Sequence, residues 1–198
     1  MKRIVLASGN PGKIREIRAL LAPLAIEVVP QTELGIGEAD EPYDTFLDNA
    51  LAKARHASRA AGLPALADDS GLSVDALDGA PGVHSAYYAG REGSREERDA
   101  RNNAKLLASL KDNRKAHYTC VIVFLENLEK PPLMAEGIWH GEIARAPRGT
   151  HGFGYDPLFF IEEFKKTAAE LDPVHKNRIS HRGIALAKLL EFLREPAL

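Results

Sequence analysis

The sequence has little cysteine, no long apolar run and no excess of charge. Cys120 is the one cysteine in 198 residues, so no intrachain disulfide can form, and its apolar surroundings predict a buried side chain. No apolar stretch is long enough to cross a bilayer, and too few apolar residues follow Lys2 and Arg3 for a signal peptide. We therefore expect a cytoplasmic protein that has no membrane partner.

The balance of 26 Lys and Arg against 28 Asp and Glu gives a formal net charge of −2. Such a chain has no basic field to recruit nucleic acid, so no nucleic-acid partner is expected. Several catalytic motifs are also missing. Without H-E-x-x-H or G-x-S-x-G, a zinc enzyme and a serine hydrolase are disfavoured, and without a Walker or D-x-D-x-T motif so is a phosphotransferase.

No linker or repeat divides the chain, so we expect a single domain, residues 1–198, with room for two lobes. Short β-branched runs predict strands at 3–7, 26–29, 64–67, 118–125, 134–144 and 158–161. Helical spacing of apolar residues predicts helices at about 14–21, 45–60, 104–110 and 184–193, with Thr45 and Asp48 as a capping box. Residues 91–99 are strongly charged and are expected to be a solvated loop or helix start. The alternation predicts an α/β fold with a mixed sheet.

The segment between the first strand and the first helix is suited to bind phosphate. Its two glycines relieve steric limits on a tight turn, and the helix dipole and a lysine attract an anion. The predicted phosphate-binding residues are Ser8, Gly9, Asn10, Pro11, Gly12 and Lys13. A plain strand-to-helix turn is the alternative. The segment is not a P-loop, because Ala7 and Ile14 stand where that motif needs glycine and a hydroxyl.

Two acidic segments are candidate metal ligands. Asp68 and Asp69 are predicted to close the strand at 64–67, where they can hold Mg²⁺ or accept a proton from water. An Asx-turn is the alternative. Asp40 and Glu41 precede the helix that places Lys53 on its polar face. Glu41 supplies a second carboxylate for a Mg²⁺ site. Ordinary capping of the helix is the alternative.

The last cluster combines an aromatic loop with basic residues. The loop at 152–157 is predicted to stack Phe153 on a base while its backbone groups bind the base edge. Lys176, His181 and Arg182 stand near the start of the final helix, where cations can meet an anion. A turn with an aromatic anchor and a capped helix are the alternatives. Since Mg²⁺ removes two of roughly four negative charges on a nucleoside triphosphate, Lys13, Lys53, Lys176 and Arg182 can balance the rest.

These segments resemble the inosine/xanthosine triphosphate pyrophosphatase family. Six blocks match in order and nearly end to end: SGNPGK, TFLDNALAKARHA, ALADDSGLSVDAL, GAPGVHSAYYAG, GFGYDPLFF and SHRGIAL. The resemblance implies an elongated mixed α/β fold with a central cleft between two lobes, usually a homodimer. It also implies Mg²⁺-dependent hydrolysis of ITP, dITP and XTP to the monophosphate and pyrophosphate.

The resemblance also implies roles for individual residues. Asp69 falls on the general base and metal ligand, and Glu41, or Asp40 beside it, falls near the second metal ligand. The substrate contacts that it implies are Ser8, Asn10, Lys13, Ser70, Phe153, Gly154, Tyr155, Asp156, Lys176, His181 and Arg182.

We expect Asp69, or Asp68 beside it, to help deprotonate a water that attacks the α-phosphorus. A module that binds a nucleoside triphosphate without cleaving it is the second candidate, and release of pyrophosphate separates the two.

Overall fold

The structure is a computed structural model that describes residues 2–24 and 26–194. Met1, Ala25 and residues 195–198 of the predicted domain lie outside the described residues. The strands are β1 Lys2–Leu6, β2 Ile26–Pro30, β3 Ala65–Val74, β4 Lys115–Leu125, β5 Leu133–Ile143, β6 Phe159–Ile161 and β7 Lys166–Thr167. The helices are α1 Pro11–Leu21, α2 Phe46–Ala61, α3 Arg95–Ser109, α4 Pro173–Ile179 and α5 His181–Arg194.

All seven strands belong to one sheet with the order β2-β1-β3-β4-β5-β6-β7. Strand β1 pairs in parallel with β2 and β3, whereas β6 pairs antiparallel with β5 and β7. The sheet is therefore mixed and is flanked by helices, which confirms the predicted α/β class. The two parallel pairs come from the part of the chain where strands and helices alternate, because a parallel pair needs a crossover between its strands.

By its internal contacts the described chain divides into two compact units. Unit 1 comprises the described residues within 1–69, 120–137 and 181–198, and unit 2 comprises 70–119 and 138–180. Strands β3, β4 and β5 contribute residues to both units. The expectation of a single two-lobed domain stays a prediction. Within residues 2–24 and 26–194, no helix combines the length and the apolar character needed to cross a membrane.

Each unit has its own hydrophobic core. In unit 1, Ala50, Ala54 and Ala57 of α2 pack among Val5 and Val123 of the sheet. A second cluster in this unit joins α1 and α5 to the strands and contains buried Cys120, as predicted. In unit 2, aromatic residues of β4, β5 and β6 form the centre of the core: Tyr118, Trp139 and Phe159.

Side-chain caps fix the starts of the helices. The Thr45 hydroxyl accepts a hydrogen bond from the Asp48 amide at 3.1 Å and donates to the Asp48 carboxylate at 2.6 Å, so α2 begins where predicted. Ser94 and Glu97 form a complete capping box that starts α3 at Arg95. The predicted helix at 104–110 therefore begins nine residues too late, and part of the charged segment is helical.

The prediction that Asp68 and Asp69 close a strand was wrong. Strand β3 continues through both acids to Val74. Its neighbour β1 ends at Leu6, level with Leu66, so the two acids lie just beyond the last paired residue of β1. Buried carboxylates are tolerated inside a strand only when cations pair with them, and those cations come from residues distant in sequence.

Candidate active site

The turn after β1 is organised by its own side chains. Asn10 Oδ1 caps α1 by accepting hydrogen bonds from the amides of Gly12 (2.9 Å) and Lys13 (3.3 Å), and Ser8 Oγ accepts one from the Asn10 amide at 3.2 Å. The amides of three predicted phosphate-binding residues, Asn10, Gly12 and Lys13, are thus already bonded within the turn. Gly9 lacks the left-handed backbone that favours glycine, but a Cβ there would lie 2.7 Å from Glu38 Oε1, so it permits a close approach.

Asp68 and Asp69 are buried residues that point to opposite faces of β3, since successive side chains of a strand alternate. Asp68 is 1% exposed and Asp69 is 6% exposed. Asp68 contacts cations of α1 and α5, whereas Asp69 contacts a cation of α2. The two acids therefore have separate environments and are not interchangeable.

Asp68 is the centre of a chain of ion pairs in unit 1. Its Oδ2 lies 3.0 Å from Lys13 Nζ and accepts from Arg182 Nη2 at 2.8 Å and Nε at 3.2 Å. The third guanidinium nitrogen, Nη1 of Arg182, donates to Glu16 at 2.5 Å. Burial alone would raise the pKa of Asp68, but Lys13, Arg182 and Lys53 hold it well below its usual range.

The neighbours of Asp68 are held in fixed protonation states. Burial opposes the charge of Arg182, but Asp68 and Glu16 raise its pKa well above its ordinary value. Burial and the Asp68 charge raise the pKa of Cys120, so its thiol stays protonated and donates to Asp68 Oδ2 across 3.8 Å. Glu16 was missed by the sequence analysis; its position one turn after Lys13 on α1 was the available signal.

Asp69 has a simpler set of contacts. Its Oδ1 accepts from Lys53 Nζ at 2.8 Å, and the same Nζ lies 3.3 Å from Glu41 Oε1. Burial opposes the charge of Lys53, but Asp69, Glu41 and Asp68 raise its pKa. Of the two neighbouring acids Asp40 and Glu41, it is Glu41 that forms the ion pair with Lys53. The other carboxylate oxygen, Asp69 Oδ2, is buried and has no hydrogen-bond partner among the described residues.

The ion pairs of unit 1 form an ionic cluster of two sets, one around Asp68 and one around Asp69. The first set contains Lys13, Arg182 and Glu16, and the second contains Lys53 and Glu41. In the described part of the chain, no three His, Cys, Asp or Glu side chains are grouped closely enough to hold a metal ion. The unpartnered Asp69 oxygen and nearby Glu41 fit Mg²⁺, which takes one or two carboxylates and completes its shell with water and phosphate.

The aromatic loop lies in unit 2 and is tied to α4. Gly152 has a φ of +78°, and a Cβ there would lie 2.0 Å from Asp156 Oδ2, so only glycine fits. That carboxylate accepts from the Phe153 amide at 2.9 Å and from Lys176 Nζ at 2.5 Å. Asp156 and Lys176 are both almost fully buried. Lys176 Nζ also lies 5.3 Å from the centre of the Phe153 ring.

Tyr155 belongs to the core rather than to the surface of the loop. Its ring packs in the unit 2 core, and its hydroxyl donates to the Ser85 carbonyl at 2.9 Å. Burial, with smaller effects from Asp99 and Tyr88, raises the pKa of Tyr155. Two residues of α3 that the sequence analysis left out, Asp99 and Asn103, contact Gly154. The signal that could have found them is the Ser94–Glu97 capping box, which starts α3 early enough to include both.

The predicted site residues thus fall into two groups, one in unit 1 and one in unit 2. Unit 1 places Lys13 and Arg182 on Asp68, and Glu41 and Asp69 on Lys53. Unit 2 brings together Phe153, Gly154, Asp156 and Lys176. Ser70 is half-buried in β3, and His181 is buried as the first residue of α5.

The mixed sheet and the buried ionic cluster of unit 1 define the class of protein. It is an α/β protein whose paired acids, inside a strand, are held by lysines and an arginine from the surrounding helices. The model of the Ham1 family matches residues 4–192, so the chain belongs to the Ham1 family.

Relatives match over nearly the full length. The chain is 60% identical over 196 residues to a dITP/XTP pyrophosphatase of Burkholderia pseudomallei, covering 98% of this chain and 94% of that protein. It is 59% identical over 197 residues to the dITP/XTP pyrophosphatase of Ralstonia nicotianae, covering 98% of each.

Solved structures agree with the fold. A HAM1 protein from Coxiella burnetii aligns with a TM-score of 0.87 and 49% identity, covering 99% of this chain and 100% of that one. The Staphylococcus aureus Ham1 protein aligns with a TM-score of 0.83 and 38% identity, covering 97% and 98%.

Proposed function

We propose that this chain is a nucleoside triphosphate pyrophosphohydrolase that converts ITP, dITP and XTP to the monophosphate and pyrophosphate. Its role is to remove damaged purine nucleotides from the pool. We further propose that it uses Mg²⁺ and that it acts in the cytoplasm as a homodimer.

One observation supports this function above others. Asp69 is a buried carboxylate with one oxygen on Lys53 and the other without a partner among the described residues, in a chain about 60% identical to proteins named dITP/XTP pyrophosphatase. A carboxylate that is held in place and still able to accept a bond has the geometry that a general base needs.

In the proposed reaction, the Asp69 carboxylate accepts a proton from a water molecule whose oxygen bonds to the α-phosphorus. The bond between the α-phosphorus and the bridging oxygen breaks, and pyrophosphate leaves with the bond's electron pair. Asp68 is a poor candidate for this base, because Lys13 and Arg182 stabilise its ionised form so strongly. Its part is to hold Lys13 and Arg182 in place.

Glu41 and Asp69 are the residues proposed to hold Mg²⁺. When bound, the ion supplies positive charge that neutralises phosphate oxygens. Lys53 fixes Asp69 by its 2.8 Å bond, and Lys13, at the start of α1, offers its charge to the polyphosphate. We propose the turn at residues 8–13, with Ser70, as further contacts of the substrate.

Recognition of the base is proposed for Phe153, Gly154, Asp156 and Lys176 of unit 2. His181, in unit 1, is proposed separately as a contact of the substrate. Tyr155 is proposed to anchor this loop to the core of unit 2, because its hydroxyl donates to the Ser85 carbonyl. All three guanidinium nitrogens of Arg182 donate to Asp68 or Glu16. We therefore assign Arg182 to the ionic cluster and not to base recognition. A site that bonds a 6-oxo group would reject a 6-amino purine, because its buried donors would then face another donor.

A panel of nucleoside triphosphates with Mg²⁺, with both products resolved by chromatography, tests the function. We expect ITP, dITP and XTP to give monophosphate and pyrophosphate in equal amounts, with kcat/KM for ATP at least about a hundredfold lower. Release of orthophosphate would contradict the proposal. Binding of ITP without any turnover would instead favour a nucleotide-sensing module.

A further inference from the structure

The charged helix α3 makes contacts in unit 2 that the reaction does not by itself explain. Gly154 follows Phe153 in the aromatic loop, and both of its backbone polar groups bond to side chains of α3. Its amide donates to Asp99 Oδ2 at 3.0 Å, and its carbonyl accepts from Asn103 Nδ2 at 3.0 Å. Asp99 and Asn103 are four residues apart, so they share one face of the helix.

Two successive amides of the loop, those of Phe153 and Gly154, are bonded to different parts of unit 2. The Phe153 amide donates to Asp156, which pairs with Lys176 of α4, and the next amide donates to Asp99 of α3. Gly154 has a φ of +63°, and a Cβ there would have nothing within 4 Å. This position therefore favours glycine because of its positive φ and not because a side chain would clash. Glycine restricts its own backbone angles very little, so the contacts around it must fix the conformation of the loop.

The α3 contacts also hold the aromatic ring. Arg95, one turn before Asp99, lies 3.6 Å from that carboxylate and places its guanidinium 5.4 Å from the centre of the Phe153 ring. The ring thus lies near two cations, Arg95 of α3 and Lys176 of α4. A shift of the Gly154 backbone would move the Phe153 ring relative to both, because the two residues are adjacent in the chain.

We propose that Asp99 and Asn103 are positioning residues that set the orientation of the Phe153 ring for a purine base. This inference rests on the proposed function of the loop and assigns the base-recognition part of it to α3. Neither residue touches the base; they act by fixing the Gly154 backbone. Because their two bonds leave Gly154 no amide to donate, the loop contributes a stacking surface at this point and not a donor to the base edge.

The test compares ligands with and without a base. IMP carries the purine, and inorganic tripolyphosphate carries only the charged chain; binding of each is measured by calorimetry with Mg²⁺. We expect Asp99→Ala and Asn103→Ala each to weaken IMP binding about tenfold, as loss of one well-placed hydrogen bond allows. Binding of tripolyphosphate should stay within about twofold of wild type, a difference of less than about 0.5 kcal/mol.

Two further variants make the test specific. Asp99→Asn keeps an oxygen that accepts from the Gly154 amide, so we expect it to retain wild-type affinity for IMP. Glu96→Gln removes the same charge from an exposed position of α3 and is the matched control. In steady-state kinetics with ITP, Asp99→Ala and Asn103→Ala should raise KM about tenfold and leave kcat within about threefold.

Three results would overturn the inference. They are wild-type affinity for IMP in both alanine variants, parallel loss of IMP and tripolyphosphate binding, and no binding of IMP by the wild type. If Asp99→Ala does not fold, Asn103→Ala and Asp99→Asn still decide between these outcomes. The proposed function is judged separately by ITP hydrolysis in the wild type, so a failure of one is not mistaken for a failure of the other.

Discussion

Asp68 and Asp69 are neighbours in sequence, yet their surroundings give them different capacities. Asp68 Oδ2 forms an ion pair with Lys13 and accepts hydrogen bonds from Arg182 and Cys120. Asp69 Oδ1 accepts from Lys53 of α2, so the two acids differ in the cations that hold them. The strand's alternation points their side chains to opposite faces, so the two roles that we propose for them, proton acceptor and structural anion, do not compete.

Asp69→Asn should abolish turnover of ITP while the protein still folds and binds the nucleotide. The amide keeps the size of the carboxylate but cannot accept the proton, so we expect kcat to fall by at least about a hundredfold. Steady-state pyrophosphate release and calorimetry of ITP binding are the measurements. An unchanged kcat would remove Asp69 from this role.

Tyr155 should make stability depend on alkaline pH. Burial raises its pKa above the unfolded value of about 10, so its contribution is complete below pH 10 and is lost as pH rises further. Tyr155→Phe should therefore make the fall in unfolding free energy above pH 10 shallower, by up to about 1.4 kcal/mol per pH unit.

Urea unfolding at pH 8, 10 and 11 measures this effect. Tyr43→Phe is the matched control, because Tyr43 is 48% exposed and should leave the slope unchanged. Parallel curves for wild type and Tyr155→Phe would show that the hydroxyl is not protected in the folded state.

At the scale of elements, three helices bring cations to the two acids of β3, Asp68 and Asp69. These cations are distant from the acids in sequence, so only the fold brings them together. Helix α1 supplies Lys13 and Glu16, α2 supplies Lys53, and α5 supplies Arg182. The starts of α1 and α5 therefore matter to the ion pairs of Asp68, because Lys13 and Arg182 lie in the first turns of those helices. Two predictions concern these starts.

Asn10→Ala should lower the free energy of unfolding by about 1 kcal/mol, because it removes the side-chain cap of α1. Asn10→Asp should restore most of that loss, since a carboxylate caps equally well. Chemical denaturation of the three proteins gives the numbers. Equal stability of wild type and Asn10→Ala would mean that the cap is not formed.

Gly137→Ala should destabilise unit 1 and reduce activity. A Cβ on β5 at this position would lie 2.1 Å from the His181 carbonyl oxygen and 2.6 Å from the Ala185 amide nitrogen, so the start of α5 would have to move. We expect a loss of about 2 kcal/mol, in the range of overpacked cores.

Gly37→Ala is its control, because a Cβ there meets nothing within 4 Å. Thermal unfolding and kcat/KM for ITP should separate the two variants. Wild-type behaviour of Gly137→Ala would refute close packing of β5 against α5.

At the scale of the whole molecule, the sequence predicts the class of fold well and the site only in part. The β1–α1 unit and the Thr45 cap follow from local signals, namely apolar periodicity and a capping hydroxyl. The position of Asp68 and Asp69 inside β3 does not, because it depends on Lys13, Lys53 and Arg182, which lie far away in sequence. For the same reason the α3 contacts with Gly154 could not be read from either segment alone.

The whole-molecule account is that water attacks the α-phosphorus of a non-canonical purine nucleoside triphosphate. Hydrolysis of ITP by the wild-type protein in water enriched in oxygen-18, followed by mass spectrometry of both products, tests this most directly. The account predicts one labelled oxygen in IMP and none in pyrophosphate. Label in pyrophosphate would place the attack on the β-phosphorus and would contradict it.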